Sequence, residues 1–378
     1  MLSTLLGGLS PAIFLRDYWH KRPLLIKNAL PGFAGLLDFS DMQTLAGRDD
    51  VESRLIQGSG REWQLDHGPF RKTDFKRLAK TDWTLLIQSL DHLMPEAGAL
   101  LAQFDFIPHA RLDDLMVSYA VPGGSVGPHF DSYDVFLLQG TGQRRWQISA
   151  RTDLSLIDDV PLKILRHFKP QEEWLLGPGD MLYLPPHYAH HGVAEDACTT
   201  YSIGFRAPSA QELAHAFLVH LQDTLQIDGQ YADPDLRVQQ HPAEISRAML
   251  KQIGTMIARI QWNASDIVQF AGRYLSDPKP NVFFDAPEQG LSLASFAKLT
   301  RKHGAALDLK SRMLFIGSDF FINGEAFAAL PEETDTLKTL ADRRHLAAPW
   351  PLALLNDGDQ PAFSASLFHL AWLQMLRR

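Results

Sequence analysis

The sequence predicts a mixed α+β protein with a jelly-roll barrel in the middle, helices on either side and a small winged-helix-like unit at the end. Three observations carry this. Residues 111–205 break into seven short strand-like runs punctuated by Gly and Pro, the pattern of an all-β barrel. After Pro208 apolar residues recur at helical spacing. At 378 residues the chain exceeds what one compact core supports.

The elements follow in order. Pro11 to Trp19 has the spacing of a short amphipathic helix, and Pro23 to Ile26 reads as a strand. Trp83 to Leu101 carries apolar residues at helical spacing and is assigned a helix. The seven strands are expected near 112–121, 134–139, 144–149, 172–176, 180–184, 191–195 and 198–206. Helices are expected at 209–227, 242–258 and 263–274, with Pro278-Lys279-Pro280 as a linker. Beyond it come a helix near 291–303, a hairpin of 313–316 with 320–322, a turn at Asn323-Gly324, and helices near 333–344 and 363–377.

Composition narrows the function. Hydrophobic residues make up 45% and charged residues 21%, as in a folded globular chain. No run of about eighteen apolar residues occurs, so no membrane span is expected. The segment Met1–Pro11 lacks the positive start of a signal peptide. The single cysteine, Cys198, cannot form an intrachain disulfide and suits a reducing cytoplasm. The formal charge of -8 argues against DNA as a partner.

The chemistry lies in Pro128-His129-Phe130-Asp131. A His and an Asp two apart on an extended segment point to one side. With one distant His they form the facial triad that holds ferrous iron and leaves three positions open. That third ligand lies among His187, His190 and His191; His190 is preferred, with His191 as the alternative and His187 as a turn residue. In the run 143–148, Arg144 shares a face with Trp146 and Ile148. A buried guanidinium needs an anion, either a bound carboxylate or a structural Asp or Glu. Asp114, Met116, Ser118 and Ala120 form the small face of one strand, and Cys198, Thr200, Ser202 and Gly204 that of another. Small faces suit a cavity. Thr200 and Ser202 either donate to a bound carboxylate or fill space.

The runs PGGSVGPHFDSYDVFLLQGTGQRRW, GPGDMLYLPPHYAHHG and TYSIGFRAPS, together with the earlier FLRDYWHKRPLLIK, resemble the JmjC-type ribosomal oxygenases. The likeness is greatest to bacterial members that 3-hydroxylate an arginine of ribosomal protein L-sixteen. It covers residues 12–210 well and the remainder only in layout. It implies a double-stranded β-helix (cupin/JmjC jelly-roll) core, Fe(II), 2-oxoglutarate as co-substrate and dioxygen. It implies a 1–207 oxygenase domain, a 208–277 helical dimerisation segment and a 278–378 winged-helix-like domain that does not bind DNA. His129, Asp131 and His190 fall on the iron ligands. Arg144 falls on the residue that holds the distal carboxylate of 2-oxoglutarate. Ser118 and Thr200, on the small strand faces, are the further co-substrate candidates, with Thr200 standing where the family is expected to carry Asn. Asp114 and Tyr133 fall on contacts to the substrate arginine. The partners implied are a basic large-subunit ribosomal protein and a second copy of the chain. Two alternatives remain: hydroxylation of His or Asn in a ribosomal protein, and a non-catalytic metal-binding cupin regulator. Histone demethylation ranks below both.

Overall fold

The computed structural model describes residues 2–60, 62–284, 302–329, 331 and 334–347. The chain divides into two compact units, Met1–Ala207 and Pro208–Arg378.

The first unit opens with helices α1 (Leu2–Leu5) and α2 (Pro11–Asp17). Ser10 caps α2 by accepting from the Ile13 amide, and Pro11 stands where its missing N–H costs nothing. Then come β1 (Leu24–Ile26), α3 (Phe39–Ala46), β2 (Ser53–Ser59), β3 (Glu62–His67), α4 (Lys72–Phe75), β4 (Trp83–Ile87) and α5 (Pro95–Leu101). The barrel strands are β5 (Leu112–Ala120), β6 (Val135–Gln139), β7 (Arg144–Ser149), β8 (Glu172–Leu176), β9 (Met181–Leu184), β10 (Ala189–Ala194) and β11 (Cys198–Phe205).

Two sheets result. The larger runs β1-β9-β6-β11-β5-β4-β2-β3 and the smaller β10-β7-β8. All their pairings are antiparallel. Period-two alternation assigns the faces. Leu115, Val117, Tyr201, Ile203 and Phe205 turn one side of the large sheet onto a core shared with Leu5, Phe14 and Phe104. Val135, Leu137, Leu182 and Leu184 turn the other side toward Trp146, Ile148 and Leu176 of the small sheet. The functional residues lie on that inner side.

One expectation is corrected. Trp83–Leu101 is not one helix: it is strand β4, a short connection and helix α5. All five residues of β4 are buried, between β2 and β5. A strand buried on both faces reads as a continuous apolar run, which periodicity does not separate from a buried helix. The β2–β3 hairpin that extends this sheet was likewise not anticipated.

A buried polar cluster ties the N-terminal segment to the barrel. Asp134 is wholly buried. The Tyr183 hydroxyl donates to it at 2.5 Å, His20 Nε2 lies 2.9 Å away and Arg111 Nη2 lies 3.5 Å away. Tyr183 in turn accepts from the His20 amide at 3.0 Å. Burial raises the Asp134 pKa, against the opposing pull of Tyr183, His20 and Arg111.

In the second unit, α6 (Ala210–Thr224), α7 (Arg247–Ile257) and α8 (Ala264–Ser276) match the expected helices within a few residues. Strands β12 (Ala305–Ala306), β13 (Met313–Ile316), β14 (Asp319–Ile322) and β15 (Glu325–Ala328) follow, then α9 (Thr334–Arg343) and β16 (His345–Leu346). The expected hairpin is β13–β14, extended by β15 after the turn at Asn323-Gly324. Helix α8 sits directly on β14: a Cβ on Gly272 would lie 2.4 Å from the Phe321 ring. Most of the expected helix 291–303, and all of 363–377, lie outside the described residues.

Tyr183→Phe removes a hydrogen bond to a buried carboxylate and leaves the His20 amide without its acceptor. The expected loss is about 2–3 kcal/mol of stability, read as a lower urea midpoint with an unchanged slope. An unshifted midpoint would show that the cluster contributes nothing to stability.

Candidate metal centre and co-substrate pocket

His129 and His190 face each other across an isolated antiparallel bridge. The His129 amide donates to the His190 carbonyl at 2.9 Å, and the His190 amide donates back at 2.8 Å. Each ring is fixed by its own chain: His129 Nδ1 donates to the Gly127 carbonyl and His190 Nδ1 to the Tyr188 carbonyl, both at 2.9 Å. A carbonyl only accepts, so the proton sits on Nδ1 and the Nε2 lone pair is left for a metal. Asp131 Oδ2 lies 3.7 Å from His190 Nε2. Ligand atoms of His129, Asp131 and His190 all lie within 4.8 Å of one another, and a divalent ion fits such a set.

The approach to His129 depends on glycine. Gly123 and Gly127 have φ of +79° and +78°, a left-handed region that side chains disfavour. A Cβ on Gly127 would also run into Ile164 and lie 3.1 Å from the Trp63 ring. The neighbouring histidines are placed elsewhere. His187 is a turn residue with φ of +62° whose amide donates to the Asp131 carbonyl at 2.7 Å. His191, one residue past His190 on β10, packs edge-on against Phe168. Burial pushes the His190 pKa down to about 4, helped by His129. Burial, His129 and Arg144 lower His191 to about 4 as well.

The triad opens into a cavity of about 270 Å³, lined also by Arg144, Ser118, Thr200, Asp114 and Tyr133. Arg144 on β7 is 3% exposed, and its Nε and Nη2 have no hydrogen-bond partner among the described residues. A buried guanidinium without an anion is costly, and a bidentate carboxylate supplies the missing charge. The residues therefore fit 2-oxoglutarate: a triad for its chelating end and a guanidinium for its other carboxylate. Ser118 and Thr200 line the cavity with their hydroxyls engaged. Ser118 Oγ donates to the Thr200 carbonyl at 3.4 Å, and Thr200 Oγ1 to Gln139 Oε1 at 3.1 Å. A contact from either hydroxyl to a carboxylate requires it to rotate.

At the other end Asp114 is 4% exposed. Its Oδ2 accepts from Gln88 Nε2 at 2.6 Å and from the Ser89 amide and hydroxyl at 3.0 Å. Arg54 Nη2 donates to Gln88 Oε1 at 2.8 Å. Sequence reasoning missed Gln88 and Arg54. Arg54 lies on β2 of the hairpin extension, and Gln88 directly follows β4, whose apolar run reads as helix. Tyr133 stands at the mouth, 38% exposed. Its pKa is raised by desolvation and by Asp131, Asp114 and Asp113.

A two-sheet barrel carrying a His-x-Asp…His cluster and a buried arginine defines a 2-oxoglutarate-dependent oxygenase. The JmjC domain profile matches residues 99–213, and a ROXA-like winged helix profile matches 259–376. An AraC-like ligand binding domain profile matches 167–263. The chain is 34% identical over 328 residues to the ribosomal protein uL16 3-hydroxylase of Escherichia coli, covering 82% of this chain and 84% of that one. It is 42% identical over 235 residues to a probable ribosomal oxygenase of Haemophilus influenzae, covering 61% and 56%. A crystal structure of the E. coli ribosomal oxygenase YcfD superposes with a TM-score of 0.86 at 31% identity, over 98% of both chains. A second, in complex with cobalt and 2-oxoglutarate, does so at 0.79 and 32% identity over 97% of both. The chain belongs to the JmjC-type ribosomal oxygenases, which are Fe(II)- and 2-oxoglutarate-dependent hydroxylases.

The depressed His190 pKa gives a signed prediction for the metal-free protein. Between pH 6.5 and 4 the unfolded chain binds a proton that folded His190 refuses, so stability rises with pH across that window and falls on acidification. Lowering the pH from 7.5 to 5 should cost on the order of 1–2 kcal/mol from this group. His190→Asn should make the pH dependence of the melting temperature shallower, with His191 supplying what remains. An equally steep dependence in that variant would assign the titration elsewhere.

Proposed function

We propose that this chain 3-hydroxylates an arginine of ribosomal protein uL16. His129, Asp131 and His190 hold the iron, Arg144 holds the distal carboxylate of 2-oxoglutarate with Ser118 and Thr200 alongside, and Asp114 and Tyr133 receive the substrate side chain. The observation that carries the substrate class is the buried Asp114 carboxylate beside Tyr133. Both line the cavity, with Asp113 and Asp131 near by, and a preset carboxylate suits a guanidinium. The relative named for uL16 3-hydroxylation supports the particular substrate. Bound Fe(II) with 2-oxoglutarate and dioxygen supplies oxidative decarboxylation to succinate and carbon dioxide and places one oxygen atom into an aliphatic C–H bond. The protein's share is position and charge. Gln88 and Ser89 hold Asp114 in place, so its carboxylate is set before the substrate arrives.

Gly204 keeps this end open. A Cβ there would lie 3.8 Å from both Asp114 Oδ1 and the Tyr133 ring, so larger side chains grow into the gap between the two.

Residues 208–277 are assigned to self-association and 278–378 to a winged-helix-like domain. Helix α7 has no buried residue, while Leu250, Ile253 and Ile257 on it, and Leu218 and Val219 on α6, are exposed. Apolar helix faces of this kind are covered by a partner in stable proteins, here a second copy of the chain. A cytoplasmic setting follows from the ribosomal substrate and the single buried cysteine.

The deciding experiment is mass spectrometry of a uL16 peptide incubated with the protein, Fe(II) and 2-oxoglutarate, with His129→Ala as control. One added oxygen on an arginine, absent in the control, is expected. Addition on His or Asn would replace the substrate assignment. Oxoglutarate turnover with no peptide product would retain the oxygenase and discard the substrate.

Asp114→Ala should lower kcat/KM for the peptide at least about tenfold while Fe(II) affinity is kept. Gly204→Val should uncouple the reaction, so that 2-oxoglutarate is consumed without peptide hydroxylation. Full coupling in that variant would remove the substrate guanidinium from the gap.

A further inference from the structure

Arg144 is not the only buried donor in the cavity without a partner. Trp146 lies two residues along β7 on the same face, is 4% exposed and also lines the cavity. Its indole Nε1 has no hydrogen-bond partner among the described residues. A buried indole N–H normally finds an acceptor, and leaving one unmade costs as much as any lost hydrogen bond.

The ring is held in a defined way. Its cross-strand neighbour on β10 is Gly192. A Cβ on Gly192 would lie 2.6 Å from Trp146 Cζ3 and 2.7 Å from Cη2. The benzo edge of the indole therefore lies on the bare glycine backbone, and Nε1 is on the opposite side of the ring. The Arg144 guanidinium carbon is 5.8 Å from the ring centroid. The His190 ring centroid is 5.9 Å away. Trp146 thus neighbours both the cation that is to hold one end of the co-substrate and a ligand of the metal at its other end.

We propose that the Trp146 indole N–H is a further binding donor for 2-oxoglutarate, giving a hydrogen bond to the carboxylate that Arg144 holds. This rests on the reading of Arg144 as the co-substrate anchor. A carboxylate has two oxygens and about four acceptor sites. The guanidinium fork engages it along one edge and leaves acceptor capacity for a second donor. One ligand group then satisfies all three orphaned nitrogens, Arg144 Nε, Arg144 Nη2 and Trp146 Nε1. Gly192 belongs to the same device, because any side chain there would drive the indole out of position.

The test compares the wild type with Trp146→Phe and Arg144→Met, all loaded with Zn(II). The dissociation constants of 2-oxoglutarate and of zinc are measured by calorimetry. Trp146→Phe removes the donor together with the outer ring that covers Gly192, so unchanged zinc affinity serves as the check that the site survives. The expected result is about tenfold weaker 2-oxoglutarate binding with unchanged zinc affinity. In wild-type protein carrying ¹⁵N-tryptophan, the Trp146 indole N–H resonance, assigned through its Overhauser contacts to Gly192, should move downfield when 2-oxoglutarate is added. An unmoved resonance, with Trp146→Phe binding like the wild type and Arg144→Met weakened, overturns the role of Trp146 and leaves the Arg144 anchor standing. If neither variant weakens binding, the anchor itself is wrong and the inference falls with it. Should Trp146→Phe fail to fold, the indole resonance of the wild type decides alone.

Discussion

The site depends on two backbone hydrogen bonds, exchanged between His129 and His190 at 2.9 and 2.8 Å. They lock a residue preceding β6 of the large sheet to one on β10 of the small sheet. Each imidazole then donates Nδ1–H to a carbonyl two residues earlier in its own chain. Both rings lose their tautomeric and rotational freedom to local backbone. The metal ligands are therefore positioned by main-chain geometry, which no neighbouring side chain can easily disturb.

The cavity holds a buried cation and a buried carboxylate in unlike states. Among the described residues Arg144 Nε and Nη2 have no hydrogen-bond partner, whereas Asp114 is held by Gln88 and Ser89 and Asp113 pairs with Arg206 at 3.5 Å. An unpaired buried cation costs several kcal/mol. On the proposed reading that cost is offset when a dicarboxylate binds at Arg144, and the preset Asp114 carboxylate awaits a cationic side chain. Orphaned donors and a satisfied acid in one cavity match those two reactants.

Much of this was legible in the sequence. His129 and Asp131 could be read from their spacing, because period two on an extended segment places them on one side. The alternation in β5 and β11 separated small faces from bulky ones, and the cavity is lined by the small faces: Asp114, Met116 and Ser118 on one strand, Thr200, Ser202 and Gly204 on the other. Among His187, His190 and His191 the sequence favoured His190 with His191 as the alternative, and His190 is the one whose ligand atom meets those of His129 and Asp131. One residue of slip in a strand would have reversed the choice. The bridge to His129 sets that register. Gln88, Ser89 and Arg54 were out of reach. They act on Asp114 only because β4, misread as helix, enters the sheet beside β5. A strand buried on both faces carries no periodic signal, so an error there hid the support of the substrate end as well.

The stretch 129–134 shows how contacts within the protein hold the triad's shape. At its start His129 is fixed to His190. At its end the Asp134 carbonyl accepts from the Phe205 amide at 3.1 Å, and the Asp134 carboxylate is held by Tyr183, His20 and Arg111. Between these two anchors only four residues remain, among them Asp131 of the metal set and Tyr133 of the cavity lining. The Asp131 carbonyl is itself held by the His187 amide. A segment so short, pinned at both ends and once in the middle, has few conformations to lose when ligands bind, and preorganisation of this kind is what keeps a catalytic geometry within tolerance. The buried Asp134, which would be a poor choice for stability alone, is then explained by position. It anchors the N-terminal helices and the ligand-bearing loop through one carboxylate, so the elements outside the barrel help to hold the metal centre.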